Sequence, residues 1–191
     1  MDILVPQTYL LGLIGLLSIV AVLVGRQLLR VRRDELSLIR LEQEGAAASR
    51  DAGQLYELAS VQLRKRLYPQ ATTTLRQALK RLAGEPDEAR ALVENALGFA
   101  LAAQKDFEGA VKHYKAALQA KPDYPVALNN LAFARERLLD LEGAAELYRQ
   151  SLKLEPANAT ASRRLKRVEQ QLRRSAARST TSPEAADRKG F

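Results

Sequence analysis

Hydrophobic and polar positions fall into three regimes along the chain. Residues Tyr9 to Gly25 (YLLGLIGLLSIVAVLVG) form an unbroken run of about 17 apolar or small residues with no polar face. From Ala52 to Pro156 apolar residues instead recur every three or four positions, which predicts a succession of amphipathic helices. Beyond Ser179 no periodicity is left, and a disordered tail over residues 179–191 is expected.

The middle regime is organised around Ala91–Pro122, ALVENALGFALAAQKDFEGAVKHYKAALQAKP. Here Leu97 and Gly98 are followed by Phe107, Ala110, Tyr114, Ala117 and Pro122. Moved forward by 34 positions these become Leu131, Ala132, Leu141, Ala144, Tyr148, Ser151 and Pro156. Moved back by 39 they become Leu58, Ala59, Tyr68, Ala71, Leu75 and Ala78. The five extra residues fall in the turn-rich stretch Gly84–Glu88. A period of about 34 residues is that of a helix–turn–helix repeat. The small residues at Ala59, Ala71, Ala78, Gly98, Ala110, Ala117, Ala132 and Ala144 let the two helices of each hairpin approach, while Leu58, Leu97, Leu131, Tyr114 and Tyr148 fill the space beside them. Pro122 and Pro156 stop the second helices, because proline lacks the N–H and its ring clashes with the preceding turn.

This pattern resembles the tetratricopeptide repeat (TPR) family from about Ala52 to Pro156. The resemblance implies an all-α fold, a right-handed solenoid of helical hairpins with three repeats (about 52–86, 91–122 and 125–156) and a capping helix. The sequence departs from the family at the fourth repeat position, where Leu55, Glu94 and Leu128 replace an aromatic. In this family the first helices line a concave groove. Carried over position by position, the lining is Tyr56, Ser60 and Arg64, then Leu92, Asn95 and Phe99, then Val126, Asn129, Phe133 and Arg137. The pairs Asn95/Phe99 and Asn129/Phe133 recur four residues apart on one helical face. An asparagine amide both donates and accepts, so it suits the backbone of an extended peptide. The phenylalanines offer apolar area to a ligand or, alternatively, pack between neighbouring first helices. The clamp with which this fold holds a chaperone's C-terminal carboxylate needs lysines and asparagines where this chain has Tyr56, Ser60, Ala96, Val126 and Asn130, so the clamp is absent.

The leader predicts a transmembrane anchor over residues 1–27. Its length corresponds to about 26 Å of helix, the short end of a span, and Leu28 and Leu29 lengthen it if Arg26 snorkels. A cleaved signal peptide fits poorly: no Lys or Arg precedes the run and no Ala-x-Ala-like site follows. Only Asp2 precedes it, whereas Arg26, Arg30, Arg32 and Arg33 follow. The positive-inside rule therefore puts the N-terminus on the lumenal or external side and the repeats in the cytoplasm or stroma. Residues 28–50 read as a linker helix that softens at Gly45–Ser49, with Ser49 as a cap for the first repeat helix.

The net charge of +8 is unevenly placed. Residues 51–160 carry 15 Lys/Arg against 14 Asp/Glu, but residues 161–191 carry 9 against 3. A basic capping helix over 157–178 puts Ala161, Leu165, Val168 and Leu172 on one side and Arg163, Arg164, Lys166, Arg167, Arg173 and Arg174 on the other. Those cations serve as a solvated cap, adhere to anionic lipid or, least in keeping with the absence of interleaved aromatics, bind nucleic acid.

Catalytic chemistry has little to work with. There is no cysteine, and the one histidine, His113, lies between Lys112 and Lys115 and is expected on an exposed helix face. No phosphate-cradling glycine loop, nucleophile elbow, paired-histidine zinc motif or acidic calcium loop occurs. A binding module without cofactor or metal is expected, not an enzyme.

A narrower resemblance rests on YELASVQLRKRLYPQA from Tyr56, Asn95-Ala-Leu-Gly-Phe, Tyr124-Pro-Val-Ala-Leu-Asn-Asn-Leu-Ala and Ala157-Asn-Ala-Thr-Ala ahead of the arginines. These are similar to the thylakoid-anchored TPR proteins of cyanobacteria and plastids associated with photosystem I assembly. That resemblance implies a membrane-tethered scaffold whose partners are photosystem I subunits or other assembly factors. A generic bacterial envelope or secretion adaptor, and a ribosome- or RNA-associated membrane tether, are the alternatives.

Overall fold

The computed structural model describes residues 11–27, 29 and 51–181, with side chains up to residue 177. The chain divides into two units, residues 1–49 and 50–191.

In the first unit α1 runs over residues 11–27, and Leu29 is also helical. Its large aliphatic side chains from Leu11 to Val24 are all exposed. The Ser18 hydroxyl donates to its own helix, to the Ile14 carbonyl at 2.8 Å. No helix among the described residues is both long and apolar enough to cross a membrane. The transmembrane anchor expected over residues 1–27 is therefore not shown, since the described stretch stops at about 26 Å of helix. Arg26 is exposed. Arg30, Arg32, Arg33, Ser49 and, apart from Leu29, the expected linker helix lie outside the described residues, as does the tail from residue 182.

The second unit is wholly helical among the described residues: α2 (Ala52–Arg64), α3 (Tyr68–Lys80), α4 (Asp87–Ala103), α5 (Phe107–Ala120), α6 (Pro125–Arg137), α7 (Leu141–Leu154) and α8 (Ala159–Thr181). Consecutive helices pack as antiparallel hairpins α2/α3, α4/α5 and α6/α7, stacked in order and closed by α8 on α7. Asp51, rather than Ser49, caps α2, its carboxylate accepting from Gln54 N at 2.7 Å.

Each hairpin turns through the same device. Arg66, Lys105 and Leu139 adopt left-handed φ of 61°, 69° and 63° at equivalent repeat positions. The next residue's N–H then reaches back five residues: Leu67 to Gln62 O (2.8 Å), Asp106 to Leu101 O (3.0 Å) and Asp140 to Arg135 O (2.9 Å). This satisfies carbonyls that a helix end would leave bare. Asp106 and Asp140 go on to cap the following helices, accepting from Gly109 N at 2.9 Å and Gly143 N at 3.0 Å. A Cβ at either glycine would run into the capping carboxylate. The first repeat has Leu67 at that place, without a side-chain cap, and correspondingly no glycine three residues on.

The core follows the small-residue pattern. Ala59, Ala71, Ala78, Ala110, Ala117, Ala132 and Ala144 are fully buried, with Leu97 and Tyr148 at 0% and Tyr114 at 1% exposure. Gly98 lies so close to Tyr114 that an added Cβ would sit 2.6 Å from the ring. Leu58 and Leu131 are also buried.

Two boundaries and one side chain differ from expectation. The stretched connection is in part helix: α4 has 17 residues against 13 in α2 and 13 in α6, so the insertion mostly lengthens the front of α4 by a turn. Asp87 and Glu88 favour that turn through the helix dipole. Second, α8 runs to Thr181, so Ser179–Thr181 are helical instead of belonging to the aperiodic tail. Third, His113 is not a solvated residue: its Nδ1 lies 2.7 Å from Glu94 Oε2, with the two side chains 20% and 10% exposed. The aromatic missing from the fourth position of the second repeat is thus replaced by a buried carboxylate that α5 partners.

Candidate functional site

The residues expected in the groove all lie on α2, α4 and α6, the first helices of the hairpins, and α4 contacts both of the others. Their surroundings are unequal. Leu92, Phe99 and Val126 are 42%, 43% and 49% exposed, whereas the other exposed large apolar side chains of the unit, Leu138, Leu139 and Leu154, sit at helix ends and turns. Tyr56 and Ser60 are half-buried, and the Ser60 hydroxyl is engaged by the Tyr56 carbonyl at 2.8 Å. Arg64 and Arg137 are exposed.

The two asparagines that look alike in sequence have different roles. Asn95 Oδ1 accepts from Asn130 Nδ2 at 3.0 Å, and its Nδ2 donates to the Tyr124 hydroxyl at 3.4 Å. Burial and the nearby Tyr56 raise the Tyr124 pKa, partly opposed by the bond from Asn95. Asn129 Oδ1, by contrast, is buried and has no hydrogen-bond partner among the described residues. A buried acceptor without a donor costs about 1–3 kcal/mol.

The phenylalanines are also unequal. The Phe99 ring meets the Tyr68 edge at 6.4 Å but keeps 43% exposure. Phe133 meets Phe107 edge-on at 6.3 Å, and the Arg164 guanidinium covers it at 4.4 Å. Arg137 lies 5.3 Å from the Phe107 centroid. The same contact recurs in both places, an aromatic opening a second helix against the phenylalanine of the next first helix. At Phe133 the cap helix completes the enclosure. Arg164 is itself held by Glu136 at 3.0 Å, which also accepts from the Tyr148 hydroxyl at 3.1 Å.

An open cavity of about 220 Å³ lies at the start of the array, lined by Ala52, Gly53 and Tyr56 of α2, Leu82 and Glu85 of the connection, and Ala89, Leu92 and Val93 of α4. Tyr56 and Leu92 are legible from the repeat positions, whereas Leu82 and Glu85 of the cavity and Tyr124 and Asn130 beside Asn95 are not. Glu85 lies within the five inserted residues and Leu82 just before them, in the connection that departs from the repeat. The tandem Asn129-Asn130 and the tyrosine before Pro125 were the available signals for the others.

Comparison with known proteins agrees with this architecture. The profile of the TPR repeat matches residues 98–138. The tetratricopeptide repeat domain-containing protein PYG7, chloroplastic, of Arabidopsis thaliana is 34% identical over 127 residues, covering 66% of this chain and 42% of that protein. The ycf37 protein of Guillardia theta is 30% identical over 131 residues, covering 69% of this chain and 74% of that one. Among solved structures, the first TPR of Spaghetti (RPAP3) bound to an HSP90 peptide superposes with a TM-score of 0.59 at 24% identity, covering 64% of this chain and 95% of that one. That likeness concerns the fold alone. The hairpin repeats, their shared turn geometry and the match along most of the Guillardia theta protein together place this chain in the tetratricopeptide repeat family, as a relative of the ycf37 and PYG7 proteins.

Proposed function

We propose that this protein is a membrane-anchored, non-enzymatic scaffold that binds protein clients along the concave face of its repeats and assists photosystem I assembly or stability. The observation that carries the binding role is the exposure of Leu92 and Phe99 on α4 and of Val126 on α6, large apolar side chains at groove-lining repeat positions. An extended segment supplies what this surface lacks, namely apolar side chains to cover Leu92, Phe99 and Val126. The photosystem reading is supported by the family and by the chloroplastic address of one relative. Since the chain spans 42% of that relative, the larger protein's role is carried over only as a proposal. Anchoring is supported by α1, whose aliphatic side chains point outward on all sides and whose serine hydroxyl is satisfied by its own backbone, as hydrocarbon surroundings require. The basic flank then sets the repeats in the cytoplasm or stroma, on a thylakoid membrane.

The test is affinity capture from gently solubilised membranes, comparing the native chain with Leu92→Asp/Asn129→Ala. Co-purification of photosystem I subunits is expected to fall at least about tenfold, the equivalent of about 1.4 kcal/mol, with the helical signal unchanged. Equal recovery with both chains refutes the groove as the client site.

A further inference from the structure

We infer that the outward face of α8 is a docking surface for anionic lipid headgroups. At 100° per residue, Arg163, Lys166, Arg167, Arg173 and Arg174 fall within about 120° of arc, opposite the buried Ala161 and Val168 and the half-buried Leu165 and Leu172. All five cations are exposed, and none forms an ion pair among the described residues. The Arg163 Nε donates to its own helix, to Ala159 O at 3.2 Å. The one carboxylate of the helix, Glu169, is held by Arg149 of α7 at 2.8 Å and so is drawn away from the basic face. Charge is otherwise balanced over residues 51–160, with 15 Lys/Arg and 14 Asp/Glu. The excess is therefore concentrated on one rigid edge of the array, about 16 Å long from Arg163 to Arg174.

A straight row of cations on a helix already packed by its apolar side suits a charged plane rather than a pocket. The apolar side is occupied by α7, so the contact is electrostatic and does not require α8 to insert. Nucleic acid is disfavoured because α8 carries no aromatic ring to stack on bases. Lipid is favoured because the same chain carries α1, which on the reading above holds it at a bilayer and keeps headgroups at high effective concentration. This inference rests on that anchoring for its context, but the two fail separately.

The experiment uses the full chain carrying Gln170→Cys, since the native sequence has no cysteine and Gln170 is exposed on the basic face. A fluorophore there reports energy transfer to headgroup-labelled lipid in vesicles of phosphatidylcholine alone or mixed equally with phosphatidylglycerol. Flotation with the neutral vesicles reports α1. Transfer is expected to rise in the anionic vesicles, to fall with added salt, and to disappear in Lys166→Glu/Arg167→Glu/Arg173→Glu. Each cation near such a surface changes partitioning about fivefold, so the triple variant loses on the order of a hundredfold. If the chain does not float with neutral vesicles, the anchor fails, yet salt-sensitive flotation with anionic vesicles that the triple variant loses still supports the α8 surface. Flotation with both vesicles and equal transfer in both overturns the α8 surface and leaves the anchor standing. A label response to polyuridylate but not to anionic vesicles overturns it in favour of nucleic acid.

Discussion

Replacing Gly98 by alanine tests the tightest contact in the array. In an open helix this change stabilises by about 1 kcal/mol, because alanine loses less backbone freedom than glycine. Here the new Cβ would stand 2.6 Å, 2.7 Å and 3.1 Å from three ring atoms of Tyr114. Carbon contacts are favourable at about 3.5–4.0 Å. The ring is 1% exposed and so enclosed, and either the helices must separate or the ring must leave its rotamer. Overpacking of this kind costs about 1–3 kcal/mol, which outweighs the helix-propensity gain and leaves a net loss of about 1 kcal/mol. Thermal unfolding of the full chain in mild detergent, followed by the helical signal, is expected to start roughly 4 °C lower. The second hairpin suggests its own remedy, since the first uses Ala59 with Leu75 at the same two positions. In Gly98→Ala/Tyr114→Leu the two losses should fall short of additivity by at least about 1 kcal/mol. A Gly98→Ala chain that melts at the same temperature or higher, or strict additivity in the double variant, refutes the argument.

Other expectations follow from the buried polar groups. The equivalents of Glu94 and His113 are Leu55 and Thr74 in the first repeat and Leu128 and Leu147 in the third. His113→Leu alone should destabilise by about 1–3 kcal/mol by stranding the carboxylate, whereas Glu94→Leu/His113→Leu should recover most of that loss in urea titrations. Arg164→Ala removes both the Glu136 bond and the cover over Phe133, so the amides of α8 should exchange hydrogen at least about fivefold faster, a change of about 1 kcal/mol; unchanged exchange refutes its role as the lock. Burial raises the pKa of Tyr114 and Tyr148, the latter raised further by Glu136. The neutral form is therefore favoured in the folded state. The stability from these tyrosines is fully present below the unfolded value of about 10 and is lost as pH climbs above it. Unfolding midpoints that stay flat from pH 9 to pH 12, roughly the window flanking that value, would count against this.

The sequence by itself determined the hairpins. Small residues spaced 34 and 39 positions apart specify where two helices approach, and turn chemistry repeated at the same offsets specifies where they reverse. Those relations are local, within about 20 residues, and the 3.6-residue period reports them directly. The outward basic row of α8 was legible for the same reason: a helix's own faces follow from residue order.

Tertiary structure decided everything that depends on how one hairpin is offset from the next. Asn95 and Asn129 are equivalent in sequence, yet one is bonded to Asn130 and Tyr124 while the other keeps a partnerless oxygen. Phe99 and Phe133 are equivalent too, but only Phe133 has a cap arginine laid over it. The cavity beside Leu92 exists because the inserted residues lengthen α4 and bring Leu82 and Glu85 to its mouth. A repeating sequence fixes what each unit is made of; neighbours and chain ends then break that equivalence, because a side chain's partners are set by distances across helices that periodicity does not encode.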